Sequence, residues 1–360
     1  MKSSIKRMSA LLTMMAVAML TFSFSGCSDD DDPVTEETYS YGFSNMSASH
    51  PDFLEEMSKI EKGFQSALGI TGKPFTKKGS IEECDKQVYE ACQRAFDSLK
   101  GEAWQGDYTF QVTNVGTGKV VCTAIFSADD ENLTISTIGN KAMEDADTGD
   151  FYFSDGSFAD KSTELASWQK AACIGVVLKK GRDVSGVVVD NGNYTLKDGT
   201  TPMQKVHGYV LALRDANGGC QWGKLWTEVG CDRNQTTGFN GYSSTQTIVA
   251  FNKDKNWNLS DAFPAVYHAV NYETVCPAPS KTSGWFLPSG GQCQYWLENR
   301  DVILRSIQNA GGDGWKDWYC SSSEMSDSPE RNAYYLSMRY GYMDDDLKDF
   351  SCAVRACLAF

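Results

Sequence analysis

Histidine is scarce in this chain: His50, His207 and His268 are its only three in 360 residues. None sits beside a second metal-type ligand at a usable spacing, so no histidine-rich metal site is expected. Positive charge is also in deficit, with 33 Lys and Arg against 47 Asp and Glu and a formal net charge of −14. Polyphosphate binding depends on clustered cations that release counterions, which argues against nucleic acid as a partner. There is no C-x-x-C, G-x-S-x-G, H-E-x-x-H, P-loop or G-x-G-x-x-G pattern, so the sequence marks no catalytic centre and implies no cofactor. Carboxylates are so numerous that no pair stands out as a glycosidase couple. The expectation is a protein that is not an enzyme.

What is present points to folding. Hydrophobic residues make up 41% of the chain and aromatics 12%, enough surface burial to offset chain entropy over two ordinary domains. At the N-terminus, Lys2, Lys6 and Arg7 precede an apolar stretch from Met8 to Leu20, too short to span a membrane comfortably and placed as in an export signal. Phe24-Ser25-Gly26-Cys27 resembles a bacterial lipobox, with Phe24 where Leu is usual. It implies a signal peptide over 1–26 and lipidation of Cys27. Asp29 to Asp32 form a block of like charge that stays solvated, and 27–38 reads as an acidic tether. The same block resembles the export signal of surface-exposed lipoproteins of Bacteroidota. The implied location is the outer membrane, held by a lipid anchor and facing the exterior. Loss of 1–26 takes the net charge to −17.

Beyond Cys27 lie eleven cysteines, an odd number that cannot all pair. Cys84 and Cys92 are eight apart on one helical face, roughly 12 Å by helical rise and too far for a disulfide. Most read as small apolar core residues, and Cys220 with Cys231 is the first pair to test as a disulfide.

Residues 39–135 read as a small α+β module of two helices and a hairpin. Phe53, Leu54, Met57, Ile60, Phe64 and Ala67 recur at helical spacing up to Gly69. Ser80 and Glu83 form a capping-box pattern ahead of a second stripe that includes Cys84, Val88, Ala91, Ala95 and Leu99. The period then switches to two: Tyr108, Phe110 and Val112, a turn at Gly116 and Gly118, then Val120, Cys122, Ala124 and Phe126. One hairpin is marginal in water, so the helices should cover it.

From 136 to 360 short strands alternate with Gly-, Asn-, Asp- and Ser-rich loops. Ile174 to Leu178, Val187 to Val189 and Tyr209 to Leu213 read as strands, and Gln292 to Asn309 as a helix. Six segments occur in order: GDFYFSDGSFA (149–159), ACIGVVL (172–178), HGYVLALRDA (207–216), GWFLPSGGQ (284–292), YCSSSE (319–324) and VRACLAF (354–360). Together they resemble the Fibrobacter succinogenes major paralogous domain and its DUF1566 relatives. That resemblance implies a C-type-lectin-like fold of short strands, few helices and long loops, shared with formylglycine-generating enzymes and with the variable proteins of diversity-generating retroelements. The calcium-binding motifs of calcium-dependent lectins and the active cysteines of formylglycine-generating enzymes are absent, and Ala356 and Cys357 replace the Pro and aliphatic residue of the usual ending.

The stretch from Asp313 to Asp349 holds five tyrosines, nine acidic and four basic residues, the mixture that recognition loops use. Period two places Tyr334, Leu336 and Met338 on one strand face and Tyr335, Ser337 and Arg339 on the other. With the apolar set inward, the expected ligand contacts are Asp317, Tyr319, Arg331, Tyr335, Ser337, Arg339, Tyr340 and Tyr342. Asp344-Asp345-Asp346 lacks EF-hand spacing and reads as a charged loop, not a metal site. The expected function is adhesin-like binding of a glycan or protein target. The first alternative is a non-catalytic structural or accessory subunit of a surface assembly, the second a carbohydrate-active or formylglycine-generating-like enzyme, and the retroelement resemblance adds diversification of the binding end as a variant of the adhesin-like reading.

Overall fold

The computed structural model describes residues 36–46, 50–129, 133–165, 167–181, 188–189 and 194–360. The leader, Cys27 and the aspartate block lie outside the described residues.

Strand β1 (Glu36–Met46) is followed by α1 (Phe53–Leu68), β2 (Phe75–Lys78), α2 (Ile81–Leu99), β3 (Tyr108–Asn114), β4 (Val120–Phe126) and β5 (Thr134–Ser136). The expected helices end as their caps dictate. Gly69 takes φ 68 and its N–H returns to the Ser66 carbonyl, and the Ser80–Glu83 capping box closes the start of α2. Ile60, Phe64 and Leu68 of α1 and Cys84, Val88, Cys92 and Ala95 of α2 are buried against the sheet.

The expected hairpin is the centre of a larger sheet, ordered β2-β1-β3-β4-β5. Tyr39, Tyr41 and Phe43 alternate along β1 and pack against Phe75, Phe110 and Tyr108. Residues 36–38, expected in the tether, are already strand. Glu36 and Glu37 stand opposite Lys78 and Lys77, and such cross-strand opposite charges favour pairing.

The rest of the chain runs β6 (Phe151–Phe153), β7 (Phe158–Ala159), α3 (Ser167–Ala172), β8 (Cys173–Lys180), β9 (Val188–Val189), β10 (Gly208–Ala212), β11 (Asn217–Gln221) and β12 (Gly238–Phe239). Then come α4 (Gly241–Asp254), α5 (Leu259–Ala262), α6 (Pro264–Asn271), β13 (Trp285–Phe286), α7 (Gly290–Glu298) and α8 (Arg300–Asn309). The last strands are β14 (Trp318–Glu324), β15 (Asn332–Ser337), β16 (Tyr342–Leu347), β17 (Ser351–Val354) and β18 (Cys357–Ala359). One sheet is ordered β13-β18-β10-β8-β6-β7, a second β11-β17-β14-β15-β16, and β9 pairs with β12 alone. The protein is α+β.

Two apolar clusters, one on each side of these sheets, explain why the strands read as continuous hydrophobic runs. Tyr209, Leu211, Cys357 and Ala359 join one cluster with Trp296 and Leu297 of α7 and Ile303 and Ile307 of α8. The alternating residues Val210, Ala212 and Leu358 join the other, with Ile248 of α4 and Phe263, Val266 and Ala269 in and beside α6. Strand β18 lies inside its sheet: Leu358 stands opposite both Val210 and Trp285. The helix expected over Gln292–Asn309 breaks at Asn299 into α7 and α8, the first opened by a Ser289–Gln292 capping box.

The disulfide joins Cys320 to Cys352, with Cα atoms 5.6 Å apart; Cys220 and Cys231 are both thiols. Strand pairing does place Cys220 opposite Cys352. Parallel pairing of β14 with β17, which sets Tyr319 against Ala353, brings Cys320 to the other side of the same residue. Most remaining cysteines are buried, as small apolar residues would be. No helix among the described residues is long and apolar enough to cross a membrane. Nor do three His, Cys, Asp or Glu side chains among them form a metal-holding group.

Candidate functional site

Strands β14, β15 and β16 carry the residues expected to touch a ligand, and burial divides them. Strand β15 lies inside its sheet, between β14 and β16, and is covered on both faces: Tyr334 and Leu336 enter one core cluster, Ala333 and Tyr335 the other. Period two therefore separates two interiors here, not an interior from solvent. Tyr319, Tyr335 and Ser337 are fully buried and cannot meet a ligand from outside. The Tyr319 hydroxyl donates to Asp215 (3.1 Å) and accepts the Lys316 amide (3.0 Å). Tyr335 donates to the Leu347 carbonyl (2.8 Å), and Ser337 Oγ accepts the Tyr340 amide, closing the turn (3.2 Å). Burial pushes both phenols well above the usual tyrosine range. The Asp344–Asp346 run lies in strand β16, not a loop, and Asp345 accepts from Asn332 Nδ2 (2.9 Å).

Four of the expected residues converge in the open at the turn between β15 and β16. Tyr340 and Tyr342 are 58% and 47% exposed and stack with ring centroids 6.1 Å apart. Tyr340 also tilts over the half-buried Trp318, 6.1 Å away, and the Arg339 guanidinium lies 5.5 Å from its ring centre. Arg339 pairs with Asp317 at 3.4 Å, both mostly exposed. The tip thus offers aromatic faces, five-donor guanidinium chemistry and a carboxylate within one patch.

Arg331 is exposed at the opposite end of β15, where its guanidinium lies 4.9 Å from the ring centre of Trp226. Trp226 is 71% exposed and holds φ 60, a left-handed conformation that costs a bulky residue energy. Sequence reasoning passed over it; the available signal was a lone tryptophan in a polar, non-periodic loop. The loop is pinned from beneath. Fully buried Lys348 donates to Glu324 (2.5 Å) and to the Thr227 carbonyl (2.6 Å), and Glu324 accepts the Val229 and Gly230 amides (2.8 and 3.0 Å). Burial pulls the Lys348 pKa down, against the opposing pull of Glu324.

A second buried pair braces the sheet end nearer the tip. Arg355 lies wholly inside, bonded to Asp215 at 2.7 Å and to the Asp313 carbonyl at 3.1 Å, with its guanidinium 4.9 Å from the ring centre of Trp315. Burial raises the Asp215 pKa, and Arg355 opposes that rise.

Away from both ends of the hairpin, the 195–199 segment, α4, α6 and β13 enclose a groove of about 690 Å³. Lys197 forms one wall by pairing with Glu273 (2.8 Å) and bonding the Ala278 carbonyl. Glu273 in turn accepts the Ala278 amide at 3.1 Å. None of the expected contacts lines this groove.

No family model matches the chain. It is 29% identical over 189 residues to a Bacteroides ovatus protein named "Putative fimbrium tip subunit Fim1C", a match covering 45% of this chain and 34% of the relative. The chain thus spans about a third of the length of that curated relative. Among solved structures it is similar to a fimbrial protein from Bacteroides ovatus, with a TM-score of 0.47 and 17% identity over 71% of this chain and 57% of that one.

Proposed function

We propose that this chain is an adhesin-like, non-catalytic component of a bacterial cell-surface assembly of the fimbrial kind, recognising a glycan or protein target through its C-terminal part. The observation that carries the reading is the exposed tip of Asp317, Arg339, Tyr340 and Tyr342, raised on a stem whose tyrosines, Tyr319 and Tyr335, bond their hydroxyls internally. Tyrosine and arginine dominate binding hot spots because they give large contact area and strong hydrogen bonds at small entropic cost. Lipid at Cys27 and the aspartate block would set the chain on the outer membrane, facing outward. The C-type-lectin-like reading of 136–360 is supported by the way five of the six sequence segments come together: they supply β6, β7, β8, β10, β13 and β18 of one sheet.

Glycan and protein arrays probed with the full chain test the reading. A hit that weakens at least tenfold in Tyr340→Ala/Tyr342→Ala, with unchanged thermal unfolding, supports the tip. Unchanged affinity in the folded double variant removes these residues from the site. The name of the Bacteroides ovatus relative favours a second reading, an accessory subunit that contacts other assembly proteins. Blank arrays with envelope proteins recovered in pull-downs would select it.

A further inference from the structure

The groove beneath β13 has the size of a small-ligand site, since such pockets run from about 300 to 1,000 Å³. Its chemistry narrows the occupant. The two charged side chains lining it, Lys197 and Glu273, neutralise each other and are further tied to the Ala278 backbone. They build a wall and leave no net charge for an ionic ligand to answer. The other polar lining groups include Gln246 and Thr247, an amide and a hydroxyl that can both donate and accept. Such groups complement an occupant that is itself rich in hydroxyls.

Two held aromatic rings, Trp285 and Tyr242, join Leu196 and Val270 in the apolar part. Trp285 donates its indole N–H to the Cys276 carbonyl (2.7 Å), which fixes the ring plane, and Tyr272 packs edge-on against it at 5.2 Å. Tyr242 is clamped by a stack on Tyr194 with centroids 4.4 Å apart and by its hydroxyl contact to Thr195 Oγ1 (2.8 Å). Preorganised walls spare a ligand the ordering cost that weakens flexible sites. A phosphate or sulfate would need an unspent cation here, and a lipid tail would need an apolar lining. We infer that this groove is a binding site for a neutral saccharide of one or two rings, separate from the tyrosine tip.

Saturation-transfer NMR and calorimetry on the full chain test this. The probes are neutral mono- and disaccharides (glucose, galactose, mannose, N-acetylglucosamine, lactose, cellobiose), with glucuronate and inorganic phosphate as charged comparators. The expected result is binding of at least one neutral sugar and none of glucuronate or phosphate. Gln246→Ala and Thr247→Val should each weaken it about tenfold, the loss of one hydrogen bond. Tyr340→Ala/Tyr342→Ala should leave it unchanged, so failure of the tip reading and of this one are distinguishable. No binding by any neutral sugar, or equal binding by wild type and both groove variants, would overturn the assignment. Tighter binding of glucuronate or phosphate than of every neutral sugar would do so too.

Discussion

The stem and the tip of the β14–β16 region use one vocabulary for opposite ends. In the stem, Tyr319 and Tyr335 are enclosed with their hydroxyls spent, and the cations Lys348 and Arg355 are wholly buried against Glu324 and Asp215. At the tip, Tyr340 and Tyr342 stack in the open, and Arg339 meets Asp317 in solvent. An abundance of Tyr, Arg and Asp therefore does not by itself mark a binding surface. What separates the two uses is whether a second apolar layer covers the strand, as the clusters around α7 and around α4 and α6 do on its two faces.

The sharpest way to break this contrast is to remove a buried cation. Arg355→Ala leaves Asp215 uncompensated inside the protein and should cost about 3–5 kcal/mol, read from the urea unfolding midpoint; a loss below about 1 kcal/mol would show that the pair is not desolvated. Tyr335→Phe deletes only the bond to Leu347 and should cost about 1 kcal/mol in the same assay, with no change in ligand affinity.

A pair of intermediate exposure should report on acid. Ser162 and Lys141 hold the Asp160 carboxyl well below the usual range. A lowered folded-state pKa gives stability that is present above the unfolded value of about 4 and is lost as pH falls through the folded one. Asp160→Asn should therefore lower the urea midpoint at pH 6, and the gap from wild type should close as pH falls well below 4. A gap that persists or widens in acid contradicts the ion pair. The smallest effect belongs to the tip: Arg339→Ala should change stability by less than about 0.5 kcal/mol while weakening any tip-bound target. A large stability loss there would place the tip with the stem.

Local signals were legible where one period or one cap decides the structure. Gly69, the Ser80–Glu83 box and the alternation from Tyr108 to Phe126 each specify their element through backbone or side-chain chemistry within a few residues. Tyr39, Tyr41 and Phe43 alternate just as clearly, yet the expected module of two helices and a hairpin has no strand for them, and the tether takes in residues 36–38 of β1. Tyr335 and Ser337 were misplaced for a different reason: alternation tells which residues share a face, and only tertiary packing decides how many faces are dry. Cys320–Cys352 depends on a parallel pairing between strands far apart in the chain, which spacing does not encode. The groove is not legible in the sequence because its lining comes from four separate segments that only tertiary packing brings together.

The interior position of β18 bears on how the molecule can assemble. Leu358 closes a ladder onto Val210, about 150 residues earlier in the chain. A polypeptide emerging in the N-to-C direction would hold β10 and β13 each with an unpaired edge until β18 arrives. The module of residues 36–136, whose sheet draws on none of those later strands, can complete itself well before. Such a schedule makes the C-terminal part the slow and aggregation-exposed half of biogenesis, and the half that most needs help from whatever escorts the chain.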